Sequence, residues 1–159
     1  MKKGEILESI YLESMAAEGK CVARLDGKVL FVEGAVPGDT VDVELTKIKS
    51  NFLEGRSVLL KKASQHRVKP TCSHFGFCGG CKWQHLNYET QLQYKHQQVT
   101  DNFKHIGGLD FPEVKPILGS AKTYQYRNRL DFSASAQRWL TREELKSGVP
   151  FGEPALGFH

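Results

Sequence analysis

Between Gly4 and Lys62 apolar and polar residues alternate in short runs interrupted by turn formers, a rhythm of two that predicts β-strands rather than helices. Five strands are expected: Ile6–Leu12, Cys21–Leu25, Lys28–Val32, Thr40–Leu45 and Phe52–Leu60. Asp26-Gly27 tolerates the positive φ angles of a tight hairpin turn, and in Val36-Pro37-Gly38-Asp39 proline presets one φ while glycine frees the next. Five short strands joined in this way fit an OB-like barrel. The rhythm then fails over residues 63–71, which read as a basic linker ending just past Pro70.

After a cysteine-rich loop the period changes. Asn87 can cap a helix running from Tyr88 to about Ile106, which Gly107-Gly108 would close. Tyr88, Leu92, Val99, Phe103 and Ile106 fall on one stripe and are expected to form its packing face, with Gln91, Gln93, Gln97, Gln98 and Lys104 outside. Beyond Pro112 strands return at Glu113–Leu118 and Tyr126–Ala134, the latter placing Arg127, Arg129, Asp131 and Ser133 on one face. A short helix over Thr141–Lys146 and a last strand from Ala155 complete the pattern. The expected class is mainly β with one main helix. Its domains are a barrel over 1–62, a linker over 63–71, and the cysteine loop, helix and an incomplete antiparallel sheet over 72–159.

The charge changes this picture modestly: 22 Lys and Arg against 18 Asp and Glu give a formal +4, compatible with a polyanionic partner. Arg56, Lys61, Lys62, His66, Arg67 and Lys69 form a run without an acid, and Arg127, Arg129 and Arg138 a second basic group. No apolar run approaches the roughly 20 residues that span a bilayer, and the start carries no apolar signal core, so a cytoplasmic protein without membrane contact is expected.

The densest chemistry lies in Cys72-Ser-His-Phe-Gly-Phe-Cys78-Gly-Gly-Cys81, which holds three of the chain's 4 cysteines. Three thiols this close, with glycines letting the backbone turn its N–H groups toward thiolates, point to a metal centre. Zinc could be held by Cys72, Cys78, Cys81 and either His74 or His85. An iron–sulfur cluster normally takes four thiolates, and Cys21, on a predicted strand, reads instead as a small buried hydrophobe. Phe75, Phe77 and Trp83 interleave with Lys82 and His85, suited either to shielding a metal group or to stacking bases. No nucleophile triad, P-loop or dinucleotide fingerprint is present.

Gly19-Lys-Cys-Val-Ala-Arg24, Asp26–Val32 and Val36-Pro-Gly-Asp39 resemble the TRAM domain, an OB-type RNA-binding barrel. The cysteine block continuing through Gln84-His85, Tyr88, Gln91 and Lys95, and then Tyr126-Arg127-Asn128-Arg129, resemble the RNA uracil-5-methyltransferases that make 5-methyluridine. That resemblance implies that Cys72, Cys78 and Cys81 are three ligands of a [4Fe–4S] cluster whose fourth ligand lies outside this chain. It also implies that the S-adenosylmethionine site, the nucleophile and the base lie outside it, so this chain is expected to be inactive alone. RNA, 23S ribosomal RNA before transfer RNA, is the implied partner of a monomer, with Arg24, Lys82, His85, Arg127 and Arg129 as candidate contacts. A self-contained zinc-bearing RNA-binding protein is the alternative.

Overall fold

The computed structural model describes residues 1–159 apart from Phe77, Phe111, Pro112, Phe151, Phe158, His159 and the side chain of Arg142. The suggested role of Phe77 and the end of the last expected strand therefore lie outside the described residues. Two compact units are present: Met1–Lys69 with Trp83–Gly119, and Pro70–Lys82 with Ser120–His159.

In the first unit the alternating segments become β1 (Ile6–Tyr11), β3 (Cys21–Leu25), β4 (Lys28–Glu33), β5 (Thr40–Ile48) and β6 (Phe52–Lys62), joined by a two-residue β2 (Ser14–Met15). Hydrogen bonding orders them β1-β5-β6-β4-β3-β2, antiparallel except for the parallel β4–β6 pair. β1 and β2 sit at opposite ends of this order yet are separated only by Leu12 and Glu13. The sheet must therefore curl until its ends meet, which makes it a barrel. Leu12 N–H donates to the Asp39 carbonyl at 3.0 Å and Glu13 N–H to the Val22 carbonyl at 2.8 Å, so consecutive residues bond to the two ends. The bend begins at a break in the β1 register between Leu7 and Ile10, where Ser9 has φ 55° and its N–H donates to Asp42 Oδ1 at 2.9 Å.

The alternation sends Leu30 and Val32 of β4, Val41, Val43 and Leu45 of β5, and Leu53 of β6 inward to one core with Leu12, Cys21 and Val36. Asp26 and Gly27 have φ 48° and 76°, the two positive values expected of the hairpin between β3 and β4. At Gly38, φ is 87° and a Cβ would stand 2.7 Å from Ser64 Oγ, so both conformation and space favour glycine.

Residues 63–69 are not a linker. Ser64 is buried, its N–H donating to Asp39 Oδ1 at 2.9 Å, and this segment belongs with the barrel because its side chains and amides bond to the Val36–Asp39 turn. The helix α1 (Tyr88–Asp101) also belongs to this unit, and a π-helical turn, Asn102–Ile106, extends it. The expected boundary after residue 62 is thus replaced by a barrel with its helix attached.

Asn87 caps α1 as expected, its side-chain oxygen accepting from Thr90 N–H at 2.9 Å. Asn87→Ala should cost about 1 kcal/mol, measurable as a lower urea midpoint with unchanged slope. The packing face differs from expectation. Val99, Phe103 and Ile106 are exposed, whereas Thr90 is buried and Tyr94 packs on the barrel core. Gln91 Nε2 donates to the carbonyls of Trp83 at 3.1 Å and Leu86 at 2.7 Å, and Gln98 Nε2 to that of Ala16 at 2.8 Å. These glutamines turn inward because backbone carbonyls of the Trp83–Leu86 turn and of Ala16 lie there, and an acceptor shielded from water needs a donor more than an apolar neighbour.

In the second unit β7 (Ser133–Ser135) pairs antiparallel with β8 (Ala155–Gly157). The expected strand Glu113–Leu118 does not form, and that over Tyr126–Ala134 forms only at its last two residues, within β7; no strand partner is present for the rest among the described residues, and an unpaired strand leaves its ladder unsatisfied. α2 (Arg142–Ser147) does form, through reciprocal capping between Thr141 and Glu144. Arg138 grips the same carboxylate at 2.7 Å, and its hydrogen bonds lead in lowering the Glu144 pKa to about 2. No helix among the described residues is long and apolar enough to cross a membrane.

Candidate functional site

The segment bearing Cys72, Cys78 and Cys81 leaves and re-enters the first unit through a bonded neck. Arg67 and Leu86 form an antiparallel bridge, Val68 N–H donates to the His85 carbonyl at 2.9 Å and Asn87 N–H to the His66 carbonyl at 2.9 Å. Each side of the neck is fastened to the turn between β4 and β5. On one side Arg67 grips Asp39 through Nη2 at 2.6 Å and Nε at 3.1 Å. On the other, His85 Nε2 lies 2.9 Å from the Ala35 carbonyl, which can only accept, so this nitrogen carries the proton.

Asp39 is fully buried, and burial alone would raise its pKa. The Arg67 hydrogen bonds and the N–H groups of Val36 and Ser64 outweigh that cost, so its carboxyl titrates below the ordinary value. Burial lowers the His85 pKa, the Ala35 bond opposing it, which keeps the ring neutral near pH 7. Cys21 Sγ donates to the same Ala35 carbonyl at 3.1 Å. Burial, reinforced by the Asp39 charge and opposed by Arg67, pushes its thiol pKa far up, so Cys21 is a neutral core side chain as expected.

The candidate ligands divide accordingly. Cys72 and Cys81 are exposed and Cys78 half-buried, within turns closed by Phe75 N–H to the Cys72 carbonyl at 3.2 Å and Cys78 N–H to the His74 carbonyl at 3.0 Å. Gly76 has φ 100°, and Gly80, one of the two glycines between Cys78 and Cys81, points its N–H at Cys78 Sγ at 3.4 Å, a contact that favours a thiolate. The donor chemistry thus fits a thiolate-bound group held by Cys72, Cys78 and Cys81. Among the described residues, however, no three His, Cys, Asp or Glu side chains are gathered as around a bound metal ion. His85 is not gathered with the cysteines as a zinc ligand among the described residues: it is buried, 3% exposed, with Nε2 held by the Ala35 carbonyl.

Of the residues expected to touch a polyanion, His85 is corrected for the same reason: its ring packs in the barrel unit and offers no surface. Arg24 is exposed on β3, 4.0 Å from Glu13, and Lys82 is exposed. Arg127 and Arg129 are exposed but do not share a strand face, because no strand forms there; Arg129 lies 3.6 Å from Asp131. The pattern missed Arg67 and Asp39 as a pair. Its one local signal was an acid following Pro-Gly, which read only as a turn.

Residues 10–58 of the chain match the TRAM domain. Across most of its length it is related to proteins named as RNA methyltransferases. It is 47% identical over 146 residues to an uncharacterized RNA methyltransferase of Bacteroides thetaiotaomicron, covering 91% of this chain and 32% of that protein. A protein of the same description from Chlorobaculum tepidum is 42% identical over 163 residues, covering 99% and 33%, and one from Porphyromonas gingivalis 45% identical over 152 residues, covering 93% and 33%. The chain therefore spans about a third of the length of the curated relatives it matches. A solution structure of a conserved Methanococcus maripaludis protein is 32% identical, with TM-score 0.34, over 37% of this chain and 83% of its own.

Proposed function

We propose that this chain is the RNA-binding and cluster-bearing part of an S-adenosylmethionine-dependent RNA methyltransferase that acts at uracil C5 in 23S ribosomal RNA. The observation carrying this reading is that similarity to proteins named RNA methyltransferases continues beyond the TRAM domain, through the cysteine loop and the segments after it. Uracils in folded RNA are reached only when the nucleotide is drawn out of its stack, so such an enzyme needs a grip on the surrounding backbone. The barrel, with exposed Arg24, supplies part of that grip, and Arg127 and Arg129 supply more. In this reading Cys72, Cys78 and Cys81 hold an iron–sulfur cluster with a fourth ligand from outside the chain. The cluster orders the loop and takes no part in methyl transfer, which needs no electron. The protein works in the cytoplasm as a monomer.

The direct test supplies the complete protein with labelled S-adenosylmethionine and unmodified transcripts of 23S ribosomal RNA and transfer RNA. Label at uracil C5 in the ribosomal transcript is expected; label only in transfer RNA would reassign the substrate, and label in neither would sink the proposal. Anaerobically purified protein should be brown and carry about four iron atoms, whereas a colourless protein with stoichiometric zinc would overturn the cluster. Arg127→Ala with Arg129→Ala should weaken RNA binding and reduce the slope of log affinity against log salt by about 0.7 to 0.9 per lost phosphate contact. Unchanged affinity would remove these arginines from the interface.

A further inference from the structure

The outer face of β3, β4 and β6 carries an arrangement that the folding of the barrel does not use. The register aligns Arg24 with Val29 and Phe52, and Val22 with Phe31 and Glu54, on adjoining strands. The residues between them, Ala23, Leu30 and Leu53, are buried in the core, so these two rows face away from it. Phe31 and Phe52 meet diagonally, ring centroids 6.1 Å apart and planes at 70°, and both are partly exposed. Lys47 Nζ stands 5.5 Å from the Phe52 ring centre. Lys28 Nζ reaches the Lys49 carbonyl at 3.5 Å, bringing the β3–β4 turn beside the β5–β6 hairpin and placing two more lysines at the border of the aromatic pair.

We propose that Phe31 and Phe52 form a stacking platform for unpaired RNA bases, with Arg24, Lys28 and Lys49 placed to take the flanking phosphates. An aromatic face accepts any base, because every base has a π surface, and a surrounding cation holds the backbone that carries it. Glu54 does not make the face anionic: it sits 3.2 Å from Lys47 and 3.7 Å from Lys20, while Glu13 lies beside Arg24 and Glu33 beside Lys20. Lys47 is thereby committed to Phe52 and Glu54, which leaves the phosphate role to the other cations. Single-stranded RNA is favoured over duplex, whose bases offer no open π face to a sheet.

This platform rests on the RNA-binding reading above, and its test separates the two. The whole chain is titrated with a fluorescein-labelled unstructured oligouridylate and with a duplex of equal length. Phe31→Leu and Phe52→Leu, which keep apolar volume, are each expected to weaken oligouridylate binding on the order of tenfold without changing the salt slope. Phe31→Tyr and Phe52→Tyr should restore affinity, and Lys49→Gln should lower the salt slope by about 0.7. Circular dichroism and urea midpoints report folding for every variant. If the parent chain binds no RNA, the RNA-binding reading fails and the platform with it. If the parent binds but folded leucine variants bind equally well, or the duplex binds as tightly as the single strand, the platform alone is overturned and the phenylalanine pair is a packing device.

Discussion

Asp39→Asn is expected to destabilise the first unit by about 3 kcal/mol at pH 7, the lower part of the range for removing one partner of a buried ion pair. The lower part applies because Arg67 keeps 23% of its side chain exposed and can recover some hydration. The loss has three sources: the two-pronged grip of Arg67, and the N–H groups of Val36 and Ser64, which would meet a weaker neutral acceptor or an amide donor. The pH dependence has a definite sign. Because the folded-state pKa of Asp39 lies below its ordinary value of 3.8, the stabilisation is complete above that value and disappears as pH falls through the folded pKa. Urea unfolding of both proteins should therefore show a gap that is wide at pH 7 and narrows on acidification below about pH 4. A gap that is constant down to pH 3 would show that hydrogen-bond geometry, rather than charge, accounts for it.

The second large effect is expected at Gly55, on the inward side of β6. A Cβ built there would overlap the Val43 Cγ1 methyl and stand 3.0 Å from the Glu44 carbonyl oxygen. Both obstacles belong to β5, whose Leu45 is the register partner of Gly55, so the side chain cannot be accommodated without prising apart the two most extensively paired strands. Gly55→Ala should cost about 2 to 3 kcal/mol through overpacking. Val43→Ala in the same chain opens part of the space, so the double variant should be more stable than the sum of the single effects predicts. Strict additivity would place the strain on the Glu44 carbonyl instead of the methyl.

The barrel was legible because its information is local. Leu30 and Val32, or Val41, Val43 and Leu45, announce an inward face by alternation, and Asp26-Gly27 announces a turn by backbone freedom. β2 was not legible, since two residues carry no period. Residues 63–69 were misread for a different reason: Arg67 looks like solvated linker until Asp39, 28 residues earlier, is placed beside it. His85 follows the same logic, for only the fold reveals that its partner is the Ala35 carbonyl rather than RNA or zinc. The helix exposes a limit of hydropathy itself. Gln91 and Gln98 are polar and inward because the surface they meet is made of backbone carbonyls. The cysteine loop was recognisable from identity and spacing alone, whereas the Phe31–Phe52 pair required the register, since its members are distant in sequence.

The bent segment from Ile6 to Met15 has a further consequence. It lies against β5 at one end and β3 at the other, and so covers two rows of backbone N–H and C=O groups at once. A chain lacking that segment would expose two unpaired strand margins, each a template for a strand from another molecule. The bulge at Ser9, held by Asp42, is therefore a safeguard against self-association as well as a bend, because it lets one stretch of chain seal both margins.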